Sequence, residues 1–239
     1  RRASDNAVQD IGFDANGDLD TSALATFCAG TDGYVVRFYD QSGNGNDAVQ
    51  ATTADQPQIV SSGSVLTDNG KPSLNFNGSY SLETTYQPQL GTASAVHTHT
   101  YLVASQSTTH RGSIWRSQGT VDLLFQRFDS SKFQTLVRDS NSVITNVSSS
   151  VLSQSVQYLL HGEIDAGTVS NYVNGVIDGV ASPSFTGDLD LTSPFYIGSH
   201  LSTSDFLQGN ISELIFYSSD QSANRTAIET NINDFYSIY

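Results

Sequence analysis

An all-β sandwich or jelly roll is the fold class that this 239-residue sequence predicts, and three observations predict it. Strand-like runs recur at short intervals, each closed by turn residues, with little helical periodicity between them. Of the 24 acidic residues only Glu83, Glu163, Glu213 and Glu229 are Glu. Asp suits turns and caps whereas Glu favours helices, so the imbalance points away from helical structure. Abundant Ser, Thr, Asn, Gly and Tyr complete a composition suited to strands joined by many turns. No Pro-rich or Gly/Ser linker divides the chain, so 1–239 is expected to form one domain, large enough to bury a core without disulfides.

Taken in order, "SALATFCAG" (22–30) reads as a short helix stopped by Gly30. "GYVVRFYD" (33–40) alternates and is rich in β-branched and aromatic residues, which predicts a strand. "KPSLNFNGS" (71–79), "THTYLVAS" (98–105), "SIWRS" (113–117), "VDLLFQRF" (121–128) and "KFQTLVRD" (132–139) continue the series. "SVQYLLHGEI" (155–164) precedes a hairpin, "VSNYVNGVIDGV" (169–180), in which Asn174-Gly175 supplies the two positive-φ positions of a type I′ turn. "PFYIGS" (194–199) and "GNISELIFYS" (209–218) are the last strands. A terminal helix follows, with Ser219 or Ser222 as N-cap and Ala227, Ile228, Ile232, Phe235 and Tyr236 at three- and four-residue spacing.

Composition narrows the partners. With a net charge of -14 and ten Lys and Arg spread along the chain, the dense basic footprint that nucleic acid requires is missing. No apolar run reaches the length of a membrane span, so membrane insertion is not expected. Cys28 is the one cysteine and, beside Phe27, reads as a small buried hydrophobe. The sequence starts at Arg1 and contains no Met, which suggests a processed product or a domain excised from a longer protein.

Four segments, in order, resemble laminin-G-like, concanavalin A-like lectin/glucanase domains. They are "YDQSGNGND" (39–47), "LNFNGSYSL" (74–82), the Tyr-x-Asn-Gly hairpin "VSNYVNGVIDG" (169–179) and the closing run "FYIGSHLSTSDFLQGNISELIFYSSDQS" (195–222). The N-terminal part, through "FCAGTDGYVVRFYDQSGNGNDAVQA", is also similar to the start of α-L-arabinofuranosidase B catalytic domains, a similarity that fades after about residue 60. The resemblance implies a concanavalin A-like jelly-roll sandwich with a short C-terminal helix. It also implies a structural role for Glu213 in the closing strand.

"DQSGNGND" has neither the Lys of a P-loop nor the βαβ setting of a dinucleotide site, so its glycines read as a shaped turn capped by Asp40, Ser42 and Asp47. Asp40, Asn44, Asn46 and Asp47, with Asp205, could offer oxygens to Ca²⁺, the one cofactor the sequence suggests. A glycosidase needs two carboxylates flanking the bond, and Glu163 and Asp165 form an i, i+2 pair on one strand face. Against that, Asp165-Ala166-Gly167 reads as a hairpin turn and Glu163 as a solvated face. His97 and His99 share a face but lack a third ligand in the sequence around them. For sugar binding, Trp115 with Arg116, His110 and Tyr80 offers aromatic surface beside hydrogen-bonding groups, although alternation alone leaves open which side of the sheet Trp115 faces.

The expected function is therefore a non-catalytic glycan-binding or adhesion module of a larger extracellular or phage virion-surface protein, with glycans, cell-surface polysaccharide and other surface proteins as partners. Two alternatives stand beside it: an arabinofuranosidase-like glycoside hydrolase, and a purely structural virion or surface module.

Overall fold

A computed structural model describes residues 1–200 and 204–239; residues 201–203 of the closing run lie outside it. Among the described residues, the strands form two main antiparallel sheets of nine and eight strands and two small two-stranded ones. The nine-stranded sheet centres on His97–Gln106, flanked by Tyr158–Asp165 on one side and Gln208–Tyr217 on the other. The eight-stranded sheet runs from Ile144–Ser148 through Lys132–Arg138, Leu123–Asp129, Gly112–Gln118, Tyr196–Ile197, Leu82–Thr84 and Ala48–Val49 to Arg37–Phe38.

A buried cluster holds the sheets together: Leu102, Ala104, Leu160, Ile164 and Ile211 come from one sheet, and Ile114, Trp115, Leu124, Phe128, Phe133 and Val137 from the other. Burying each large apolar side chain stabilises the fold by roughly 1.5–3 kcal/mol. A polar chain crosses this core. Trp115 Nε1 donates to Gln126 Oε1 at 2.7 Å, Gln126 Nε2 to Thr135 Oγ1 at 3.3 Å, and Thr135 Oγ1 to Asn171 Oδ1 at 2.6 Å. Asn171 Nδ2 ends it on the Val147 carbonyl at 2.9 Å, so these buried polar groups are satisfied.

The helices sit at the periphery. α1 (Thr21–Phe27) is capped by Asp20, which accepts from Ala23 N, and ends before Gly30 at φ +70°. α2 (Arg225–Tyr236) lies on the outer face of the nine-stranded sheet, where Ile232 and Tyr236 pack on Tyr101, Val103 and Leu159. Its N-cap position is Asn224 rather than Ser219 or Ser222. Asp220 and Ser222 instead bond to each other in the preceding turn, which delays the helix start. The hairpin at Asn174-Gly175 has φ of 51° and 76°, the positive pair its sequence required.

The 33–40 segment departs from expectation. It is not one strand: Gly33–Tyr34 joins the nine-stranded sheet and Arg37–Phe38 the eight-stranded one. The chain crosses between layers inside a stretch whose composition favours strand throughout.

Candidate functional site

Register across the eight-stranded sheet builds a single surface row. Pairing places Asn146 opposite Leu136, Leu136 opposite Phe125, and Phe125 opposite Arg116. Arg116 in turn faces Tyr196, Tyr196 faces Glu83, Glu83 faces Val49, and Val49 faces Arg37. Trp115 and Gln126 point into the core, so strand alternation puts this entire row on the outer face.

The row carries cations in an acidic protein. Arg116 stands in it, Arg127 and Arg138 occupy the same face two residues from Phe125 and Leu136, and Arg111 sits at the end of the Gly112–Gln118 strand. These are four of the chain's ten Lys and Arg. Phe125, only 3% exposed, lies between two of them, with the Arg116 and Arg127 guanidinium carbons 5.0 and 5.1 Å from its ring centre. Such cation–π contact fixes the guanidinium planes. Arg127 Nε also donates to Gln134 Oε1 at 2.8 Å and pairs with Asp129 at 3.1 Å. Arg111 donates to Asp205 Oδ1 at 2.8 Å. Burial pushes the Arg116 guanidinium down to about 10; Asp205 opposes this, and Arg138, Arg127 and Arg111 reinforce it.

The residues singled out for sugar contact fall in different places. Arg116 is on the face. Trp115 is wholly buried, stacked on Phe195 at 4.3 Å with its indole N–H spent on Gln126, so it is a core residue and not a binding platform. His110 is exposed in the loop ahead of Arg111. Tyr80 is partly buried against the core, edge-on to Tyr34. The residues missed were Tyr196, Phe125, Arg127 and Arg138. Their signal was the shared parity of Phe125 with Arg127 and of Leu136 with Arg138.

The 40–47 loop closes on itself. Asp40 Oδ1 and Oδ2 accept from Ser42 N and Asn46 N at 2.8 and 2.9 Å. Asp47 Oδ1 accepts from Asp40 N at 2.9 Å, and its Oδ2 takes Arg37 Nη1 at 3.0 Å. These bonds, those from Ser42 first and then Asn46, hold the Asp40 carboxyl below its usual range. Asp205 is not beside them: it is held by Arg111 next to the Gly112–Gln118 strand, and three strands of the sheet separate that strand from Arg37–Phe38.

Glu163 and Asp165 do share a face, but it is the outer face of the other sheet. Asp165 Oδ1 lies 2.8 Å from His97 Nδ1 and is followed by a turn with Ala166 and Gly167 at φ 44° and 89°. Glu163 is buried rather than solvated, at 9% exposure, and takes Tyr172 OH at 3.3 Å. Burial raises its carboxyl, with His161 and Tyr172 opposing. His99 and His161, both buried, stand beside it, and burial, then His161, pushes His99 down to about 4. Glu213 is also raised by burial, with Tyr236 opposing.

The family model for concanavalin A-like lectin/glucanases matches residues 77–225, and that for the α-L-arabinofuranosidase B catalytic domain matches residues 1–109. No curated protein matches. Among solved structures, the chain is similar to a mutant GH54 α-L-arabinofuranosidase soaked with 4-nitrophenyl α-L-arabinofuranoside (17% identity, TM-score 0.71). It is similar also to an arabinofuranosidase complexed with arabinofuranosyl-α-1,2-xylobiose (18% identity, TM-score 0.69). Each comparison covers 97% of this chain and 57% of the other. The binding domain of Paraclostridial Mosquitocidal Protein 1 is similar over 85% of this chain and 51% of its own, at 13% identity and TM-score 0.61. At these identities the likeness is one of fold.

Proposed function

The chain belongs to the concanavalin A-like lectin/glucanases superfamily, and from that premise we propose that it is a non-catalytic binding module for acidic glycans. The ligand lies on the outer face of the eight-stranded sheet. The observation that carries this is the row of Arg116 and Tyr196, flanked by Arg127, Arg138 and Arg111 and set over the buried Phe125, in a protein of net charge -14. Guanidinium forks match carboxylate and sulfate oxygens, and the partly exposed Tyr196 beside them suits a sugar ring. Such a module belongs to a larger extracellular or virion-surface protein, where acidic polysaccharides are met. This binding draws on guanidinium groups and does not call on Ca²⁺.

The likeness to arabinofuranosidases favours a second reading, hydrolysis. Against it, Glu163 is engaged by Tyr172 and Asp165 by His97, both on the other sheet. A glycan array spanning uronate, sulfated and neutral sugars, run with and without Ca²⁺, tests the binding proposal. Selective retention of acidic glycans is expected in both conditions. A blank array would favour a structural module, and release of 4-nitrophenol from 4-nitrophenyl α-L-arabinofuranoside would establish the hydrolase.

A further inference from the structure

We propose that His99, His161 and Glu163 form a Zn²⁺ site between the nine-stranded sheet and α2, independent of the glycan face.

The three side chains come from neighbouring strands, with His99 paired to Glu163 in the register and His161 one step along. His99 Nδ1 lies 3.2 Å from His161 Nε2, and Glu163 Oε2 lies 3.6 Å from the first and 3.9 Å from the second. In the plane of those three atoms the equidistant point is about 2.1 Å from each, and an ion raised slightly out of the plane to take a fourth ligand stands about 2.2 Å away, close to the Zn–N and Zn–O bond lengths. Tetrahedral ligands at that length stand about 3.4 Å apart, close to the spacings seen. Imidazole and carboxylate ligands at this spacing suit Zn²⁺.

Proton bookkeeping leads to the same place. The far nitrogen of each histidine has a carboxylate nearby, though not within a hydrogen bond: His161 Nδ1 is 3.4 Å from Glu229 Oε1, and His99 Nε2 is 3.7 Å from Asp220 Oδ1. An N–H is favoured at each of those positions, because a lone pair there would face an anion. His99 Nδ1 and His161 Nε2 are then both lone pairs, pointed at one another beside the Glu163 oxygen. In that pair of tautomers two nitrogen lone pairs and the Glu163 oxygen converge, a cluster that a cation satisfies.

The surroundings complete a carboxylate–histidine–metal arrangement. Glu229 is itself fixed by Arg225 at 2.7 Å, and the second oxygen of Glu163 accepts from Tyr172 OH at 3.3 Å. Tyr101 and Tyr172 stack on the His161 ring at 4.3 and 4.9 Å and set its plane. Because Glu229 and Arg225 belong to α2, metal binding tethers that helix to the sheet.

The test uses the whole chain, stripped with chelator and then titrated with Zn²⁺ by calorimetry and with Co²⁺ by visible absorption. One ion per chain is expected, with ligand-field bands of four-coordinate intensity and a rise in melting temperature on metal addition. Glu229→Gln should weaken binding by about 10–100-fold. His99→Ala and His161→Ala should abolish the Co²⁺ spectrum, whereas His97→Ala should leave it unchanged. No saturable binding by folded wild-type protein would overturn the proposal, as would a spectrum that survives in His161→Ala or is lost in His97→Ala. If the histidine variants do not fold, the wild-type stoichiometry and the spectrum of Glu163→Gln, which should lose its four-coordinate form, decide it.

Discussion

Gly162 offers a sharp test of how the two sheets meet. A Cβ at this position would lie 1.7 Å from Gln126 Nε2 and 2.7 Å from Thr135 Oγ1. In Gly162→Ala, Gln126 must therefore move, and its bonds to Trp115 and Thr135 break. Leaving the buried indole N–H without an acceptor costs about 1–3 kcal/mol, and the added volume in a packed core costs a further ~1–3 kcal/mol. Alanine gains back about 0.4–1 kcal/mol by restricting the unfolded chain. The net is a loss of roughly 2–4 kcal/mol, or a fall of about 5–15 °C in melting temperature for a chain of this size. Denaturant unfolding gives the free energy. Emission of Trp115, the one tryptophan, reports the lost hydrogen bond directly. An added Gln126→Ala should recover part of the loss, since it removes the clashing amide. A melting temperature and tryptophan spectrum unchanged in Gly162→Ala would refute this account of the interlayer contact.

Other predictions follow from the same structure. Glu213 has its carboxyl raised by burial, so its ionised form destabilises the fold at neutral pH. Glu213→Gln should raise the melting temperature at pH 7, and the gain should vanish as the pH drops below the ordinary Glu range, where wild type is protonated too. Asp40 is held in the opposite direction, so it contributes stability above the usual Asp pKa that is lost as pH falls through its depressed value. Asp40→Ala should cost about 1–2 kcal/mol at pH 7 and little in strong acid, as thermal melts across pH would show. Gly175→Val puts a β-branched residue at φ +76° and should cost about 1–2 kcal/mol, measured by urea unfolding.

Local rules were legible in the sequence where they act locally. The Asn174-Gly175 turn and the apolar stripe of α2 each follow from a few adjacent residues, whereas α1 ends at Phe27, short of the stop expected at Gly30. The long strands announced themselves by alternation. What stayed hidden depends on pairing. His99 and His161 are 62 positions apart, and only the register of two strands makes them neighbours. The faces of Trp115 and Arg116 turn on an irregularity between Ser113 and Trp115, and a one-residue slip inverts every side chain in a strand. Glu163 reads as solvent-facing until His99, His161 and Tyr172 are placed around it. The break of 33–40 between two sheets likewise has no local signal.

The glycan-binding claim is tested most directly by calorimetric titration of a uronate oligosaccharide into wild type and Arg116→Gln. A charge-assisted hydrogen bond contributes about 1.5–3 kcal/mol, so the variant should bind about 10–100-fold more weakly while its melting curve shows it folded. Wild-type affinity should also fall with added salt, and the neutral sugar of matched length should bind far less well. Equal affinity in the folded Arg116→Gln variant, or equal binding of the neutral sugar, would contradict the claim.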